Sequence, residues 1–357
     1  MKNKVKKTKR KMTRRIKRMG LFSIVLVLIA VLFGGRFYRY INAANVDLTN
    51  VESSYIHIPN GTSFAELKKI LENSGAIKDM VSFEWVAQKK EYADRIKGGR
   101  YKLEDGMSNN KLVNLLRSGK QEPVNVTFNN IRELEKLASV VGKKLMTDST
   151  ELINLLSNYE YIERLGFDKN TLPALFLPNT YQFYWNTDAN GFVKRMKREY
   201  DNFWTSEKIS KAREKGLTPV EVAVLASIVD EETQMADEKP LVAGLYLNRL
   251  KRGMRLQADP TLKFALGDFS IKRLLNEDKE IESPYNTYKY SGLPPGPIRI
   301  PSIAGIDAVL NAETHKYLYM CAKEDFSGYH NFAKTLAQHN VNAAKYRREL
   351  NKRGISR

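Results

Sequence analysis

The first 35 residues constrain this chain more than any other stretch. Residues 1–18 carry eleven Lys and Arg and no acid, and they lead into Leu21–Gly35, an uncharged run of Leu, Ile, Val, Phe, Ala, Ser and Gly that Arg36 ends. With Met19 and Gly20 before it and the aromatics Phe37 and Tyr38 after it, the run approaches the roughly 20 residues a helix needs to cross a bilayer core. A cleaved signal peptide is the competing reading, but the basic region is long for one and Ile41-Asn42-Ala43 is a poor small-x-small cleavage site. The expectation is a basic cytoplasmic tail over 1–18 and an uncleaved transmembrane helix over 19–40. An excess of positive charge stays inside, so everything beyond about residue 40 should lie outside the cytoplasmic (inner) membrane, in a periplasmic or equivalent space.

This placement also accounts for the charge. A net +19 suggests nucleic acid as a partner, yet without the tail 48 basic residues face 40 acidic ones, a net +8. The concentrated charge reads instead as a topology signal or a contact with anionic lipid, and no nucleic-acid partner is expected. With 357 residues, 42% of them hydrophobic, the chain can build one large core or two smaller ones. Cys321 is the only cysteine, so no intrachain disulfide can form and a buried, inert thiol is expected.

Two regions follow the apolar run. From about 45 to 122 the sequence reads as a small α+β module. Tyr55-Ile56-His57-Ile58-Pro59 alternates like a strand, Ser63 with Glu66 marks a capping box before Leu67, Ile70 and Leu71, and Ser108 opens a second helix through Leu112, Leu115 and Leu116. Arg100 to Leu103 reads as another short strand. From 123 to 357 a larger mixed α+β region is expected, with helices over Leu134–Leu145 and Ser149–Leu156. Thr218-Pro219-Val220-Glu221 announces a strong helix with an N-cap, Pro at its first position and a capping box, running to about Gln234. A second helix should run from near Asp237 to Gly253. Beyond it the sequence suggests Gly- and Pro-rich loops from Asp259 to Pro301, a helical patch at Ala304–Asn311, a strand at Tyr317–Ala322 and a polar terminal helix.

On the helix from Pro219, Leu225, Ile228 and Val229 mark an apolar stripe, and Glu232 extends it at helical spacing. A carboxyl group on such a face is desolvated and stays protonated near neutral pH, which suits a general acid for a glycosidic oxygen. A helix-terminal Glu turning to solvent fits the same spacing. Asp230 and Glu231 diverge from it by about 100° per residue and read as a solvated acidic patch. A two-carboxylate hydrolase would need a second group elsewhere, and Asp259 is the candidate, though Asp before Pro is also an ordinary turn residue. His57, His315, His330 and His339 match no zinc spacing, so neither a metal nor another cofactor is expected. Ser283 to Tyr288 and Gly292 to Pro297 form rigid, aromatic, amide-rich segments suited to sugar rings, or simply to loop structure.

These segments together resemble the membrane-bound endolytic murein transglycosylases of the YceG-like (MltG) family. The resemblance rests on Ala226-Ser227-Ile228-Val229-Asp230-Glu231-Glu232-Thr233, Asn248-Arg249-Leu250, Gly253 to Thr261, Tyr285-Asn286-Thr287-Tyr288, Gly292 to Ile298, His330, and His339-Asn340. It implies an α+β fold of three parts: the membrane helix, a LysM-like module, and a catalytic domain with Glu232 as catalytic acid. It also implies cleavage of the MurNAc-GlcNAc β-1,4 bond in nascent glycan strands, leaving 1,6-anhydroMurNAc ends, and penicillin-binding proteins as partners. Gln257, Asp259, Tyr285, Asn286, Tyr288, His330, His339 and Asn340 are the candidates for holding sugars. A non-catalytic peptidoglycan-binding scaffold and a two-carboxylate muramidase are the alternatives. One departure is Asn179, where family members usually have Asp, which puts any charged role there in doubt.

Overall fold

The computed structural model describes residues 2–271 and 274–354. They divide into two compact units, one of residues 1–124 with 184–186, the other of 125–183 with 187–357.

The first unit begins with α1 (Lys2–Asn42), which continues as one helix through the basic tail. Its segment Lys17–Asn42 is long and apolar enough to cross a membrane, and none of its most apolar window is covered by protein. The helix is followed by β1 (Tyr55–Ile58), α2 (Phe64–Asn73), α3 (Met80–Lys89), β2 (Gly99–Lys102) and α4 (Asn109–Ser118). β1 and β2 pair antiparallel, with Tyr55 opposite Lys102 and Ile58 opposite Gly99. Alternation turns Ile56 and Ile58 inward against Leu67, Leu71, Phe83, Val86, Tyr101, Leu112 and Leu116. The Ser63–Glu66 capping box forms as the sequence predicts, and Ser108 caps α4, which ends at Gly119 in the left-handed conformation. α3 is a third helix that the sequence reading left out; Asp79 caps it by accepting the Ser82 N–H.

The end of α1 is fastened to this module. Phe37 stacks on Trp85 with ring centroids 4.8 Å apart. The buried Asn109 amide donates to the Tyr40 carbonyl and to Ser82 Oγ, both at 2.9 Å, and its oxygen accepts from Asn45 at 2.7 Å.

The second unit carries β3 (Val124–Phe128), α5 (Leu134–Gly142), α6 (Ser149–Ser157), α7 (Tyr159–Arg164), β4 (Asn179–Phe183), α8 (Ala189–Phe203) and α9 (Ser206–Glu214). Next come α10 (Pro219–Glu232), α11 (Lys239–Lys251), α12 (Asp259–Leu266), α13 (Ile303–Leu310), β5 (Tyr319–Ala322), β6 (His330–Ala333) and α14 (Leu336–Lys352). β3 pairs with β4, and β5 with β6. Asn179 sits exposed at the start of β4, its side-chain oxygen accepting the Thr180 N–H.

α10 organises this unit. Thr218 and Glu221 complete the expected capping box around Pro219. Val222 through Asp230 are all buried, so the helix is enclosed on every side and is not a one-faced amphipathic helix. It packs on α9, α11, α12 and α13. The stretch after Gly253 also differs from expectation. Asp259 to Leu266 is a two-turn helix, begun by Pro260 at a position where a missing N–H costs nothing and ended by Gly267 at φ +72°.

Candidate active site

Glu232 is the last residue of α10, and Thr233 turns extended immediately after it. Its carboxyl is half-buried and lies at the negative end of the helix, where ionisation is disfavoured. Burial is the main force and pushes the group up to about 7, with the charge of Asp259 adding to the rise. Three groups oppose it: the hydrogen bond from Tyr246, then Lys263, then Arg249. The buried Tyr246 phenol, on α11, donates to Glu232 Oε1 at 2.5 Å.

One turn further along α11, the buried Arg249 fixes the local backbone. Its Nε donates to the Leu318 carbonyl at 2.6 Å, and its Nη1 donates to the Leu256 and Arg255 carbonyls at 2.8 and 3.2 Å and to Gln257 Oε1 at 3.3 Å. Gln257 is held at φ +52°, a strained conformation for a residue with a side chain, and this presents Asp259 at the head of α12. Asp259 is exposed and accepts from the Tyr288 phenol at 2.5 Å. Two carboxyl–phenol pairs, Glu232–Tyr246 and Asp259–Tyr288, therefore act on each other electrostatically: Glu232 and Asp259 each push the Tyr288 phenol above its ordinary range, after burial.

The neighbours of Glu232 do not form the solvated patch that the sequence suggests. Asp230 is buried, paired with Lys239, and accepts the Ser302 N–H at 2.7 Å and its hydroxyl at 2.8 Å, which fastens the N-terminus of α13 to α10. Glu231 accepts from Arg132 at 2.9 Å and from Arg299 at 2.6 Å. Their partners lie 9 to 99 residues away in sequence, beyond the reach of local spacing. A Cβ at Gly305 would stand 2.6–2.8 Å from the Asp230 carboxylate. Gly305→Ala is therefore expected to lower unfolding free energy by about 2 kcal/mol, read by urea denaturation. A loss below ~0.5 kcal/mol would show that α13 can shift freely.

The remaining candidates fall into different environments. Asn286 is fully buried, with its amide donating to the Lys279 and Ile281 carbonyls and its oxygen accepting the Tyr288 N–H, so it holds the loop that presents Tyr288. Tyr285 packs into the core against Phe264, centroids 4.5 Å apart. His330 is bound to Glu238 twice, through its N–H at 2.7 Å and Nδ1 at 2.8 Å. His339 stacks on Tyr319, whose ring lies against the Arg249 guanidinium, and burial lowers its basicity. Asn340 is exposed on α14. Cys321 is half-buried, and burial pushes its thiol up. Sequence reasoning missed Tyr246, Arg249 and Lys263 as members of this cluster. The available signal was an arginine three residues after a tyrosine at the end of the apolar stretch 241–247 of α11.

The sequence profile of the YceG-like family matches residues 56–345. This chain belongs to the YceG-like family. Relatives within reach carry a functional name. The chain is 30% identical over 307 residues to an endolytic murein transglycosylase of Bacillus subtilis (strain 168), covering 82% of this chain and 84% of that one. It is 29% identical over 356 residues to the endolytic murein transglycosylase of Streptococcus pneumoniae serotype 2, covering 90% of this chain and 64% of that longer one. A crystal structure of a YceG-like protein from Listeria monocytogenes superposes with a TM-score of 0.54 at 25% identity, over 80% of this chain and 97% of that one. The YceG-like match spans both compact units and includes Glu232, Tyr246, Arg249, Asp259 and Tyr288.

Proposed function

We propose that this chain is a membrane-anchored endolytic murein transglycosylase that cleaves nascent peptidoglycan strands with Glu232 as its acid and base. The observation that carries the reading is a carboxyl group held near pKa 7 by burial at the end of an enclosed helix, with a phenol donating to one of its oxygens. Such a group is protonated often enough at neutral pH to act as an acid and ionises readily enough to act as a base. In the reaction, Glu232 gives its proton to the β-1,4 glycosidic oxygen as the C1–O bond breaks. The C6 hydroxyl of the same MurNAc residue bonds to C1 and returns a proton to the Glu232 carboxylate, leaving a 1,6-anhydro ring. An internal nucleophile has an effective concentration on the order of 10⁵ M or more when well oriented, so no second carboxylate has to activate water. Asp259, which acts on Glu232 electrostatically and accepts from Tyr288, is the carboxylate that would favour the positive charge developing at C1. Gln257 and His330 remain candidates for sugar hydroxyls.

α1 spans the cytoplasmic membrane in this reading, with the basic tail inside and both units outside. The small unit with β1, α2, α3 and β2 is taken, on the family resemblance, as a LysM-like module that holds glycan. Enzymes that elongate the strand, the penicillin-binding proteins, are its natural partners.

The nearness of Asp259 to Glu232 favours one rival, a two-carboxylate muramidase. Digestion of purified sacculi separates the two: mass spectrometry of released muropeptides should show 1,6-anhydroMurNAc ends, whereas reducing ends that depend on Asp259 would replace the present reading. The pH profile tests the role of Tyr246. Activity that needs protonated Glu232 falls as pH rises through about 7. The Tyr246 hydrogen bond stabilises the charged form, so Tyr246→Phe should move this limb about one unit higher. An unmoved limb would remove Tyr246 from the acid's control.

A further inference from the structure

At the outer end of α1, the first unit forms an open pocket of about 720 Å³ that plays no part in the chemistry above. Leu32, Gly35, Arg36 and Arg39 line it from α1, at spacings of three and four that place them on one helix face, while Lys78 and Asp79 line it from the start of α3. Its size is in the range of ligand sites, roughly 300–1,000 Å³. A Cβ at Gly35 would meet no atom within 4 Å, so the glycine leaves open space.

Two observations suggest what fills it. The first is polarity along the helix. Leu32 is 72% exposed and belongs to the apolar segment, whereas Arg36 is the first charge beyond that segment. From Leu32 to Arg39 the helix rises about 10 Å, enough to pass from the hydrocarbon edge across the headgroup layer. The pocket thus has an apolar wall at lipid-chain depth and a cationic wall at headgroup depth. The second is unbalanced charge. Arg36 donates to the Tyr40 phenol at 2.8 and 3.2 Å, and Lys78 pairs with Asp47 at 3.0 Å. This leaves Asp79, the cap of α3 and close enough to act on Arg36 electrostatically, as the one carboxylate in the lining against the two guanidinium groups of Arg36 and Arg39. Among the described residues, no carboxylate forms an ion pair with Arg36 or Arg39.

We propose that this pocket binds the phosphate of an anionic lipid, with the Arg36 and Arg39 guanidinium groups on the phosphate oxygens and the lipid chain along Leu32. Guanidinium groups suit this ligand because their N–H donors match phosphate oxygens in pairs. The same chemistry is offered by a phosphatidylglycerol and by a polyprenyl pyrophosphate, the kind of carrier on which a polymer can be built at a membrane. The inference rests on α1 crossing the membrane and not on the catalytic reading, so Glu232→Gln leaves it untouched.

The test uses the full chain in nanodiscs of phosphatidylcholine doped with either phosphatidylglycerol or a polyprenyl pyrophosphate, with lipid retention counted by native mass spectrometry. One doped lipid per chain is expected, reduced about thirtyfold in Arg36→Gln/Arg39→Gln, since each cation near a surface contributes roughly a factor of five. Gly35→Leu fills the space with a residue that favours helix, so it should expel the lipid while the fold persists. Preference for one doped lipid identifies the source. Retention that is equal for phosphatidylcholine, unchanged in both variants, or abolished by millimolar inorganic phosphate alone overturns the proposal.

Discussion

Replacing Glu232 with Gln is expected to lower the release of anhydro-terminated muropeptides by at least about 10³-fold, towards the upper end of what a positioned acid–base group supplies. The substitution keeps the shape of the side chain and its place at the end of α10 but removes the transferable proton. Both halves of the reaction lose the same group: the leaving oxygen has no acid and the C6 hydroxyl no base. Losses of this kind fall on kcat, because the proton moves only in the transition state. Sacculus binding by the variant should match the wild type. A variant that still releases anhydro products at more than a tenth of the wild-type rate would make another residue the acid and leave Glu232 a binding group.

The same substitution should make the protein more stable in a pH-dependent way. A carboxyl group whose folded pKa is about 7, against an ordinary value of 4.5, holds its proton in the folded state over a range where the unfolded chain has released it. Its contribution is therefore most favourable below 4.5 and is lost as pH rises towards 7. The loss, about 3 kcal/mol in all, is the penalty for an ionised group in a desolvated site. Glu232→Gln has no such penalty, so the two proteins should unfold alike at pH 4.5 and differ by about 2–3 kcal/mol at pH 8, the variant being the more stable. Denaturant titrations of both proteins across this range supply the difference, in which other titrating groups cancel. A difference that stays flat with pH would mean that the acid is not desolvated. Stability given up at a catalytic position is a common trade in enzymes.

Legibility in the sequence tracked the range of the interactions involved. Ser63 with Glu66 and Thr218 with Glu221 define helix starts within four residues, and both capping boxes are present. Glu232 is only half legible: its spacing after Ile228 and Val229 suits a buried acid and a solvent-turned one alike, and the groups that set its environment, Tyr246, Asp259, Lys263 and Arg249, lie on other elements. Asp230 and Glu231 were not, because Lys239, Ser302, Arg132 and Arg299 reach them only through the fold. Pro260 and Gly267 do bracket α12, but the surrounding glycines and prolines masked it as loop. Asn286 and Tyr288 lie two residues apart in a loop that looked suited to sugar, and only the structure separates the buried brace from the phenol that meets Asp259. Tyr246 lies 14 residues from Glu232, on another helix.

The burial of α10 on all sides also bears on how such an enzyme can change. The backbone that roots Glu232 cannot shift without moving the core, so this end of the helix behaves as the fixed jaw of a vice. Opposite it stand Asp259 on a two-turn helix and Tyr288 on a loop braced by a single asparagine. With Glu232 as the proposed acid, insertions or substitutions in that second jaw can alter which sugars fit while the helix end keeps its place, so divergence in substrate range should gather between residues 257 and 297 and spare the helix.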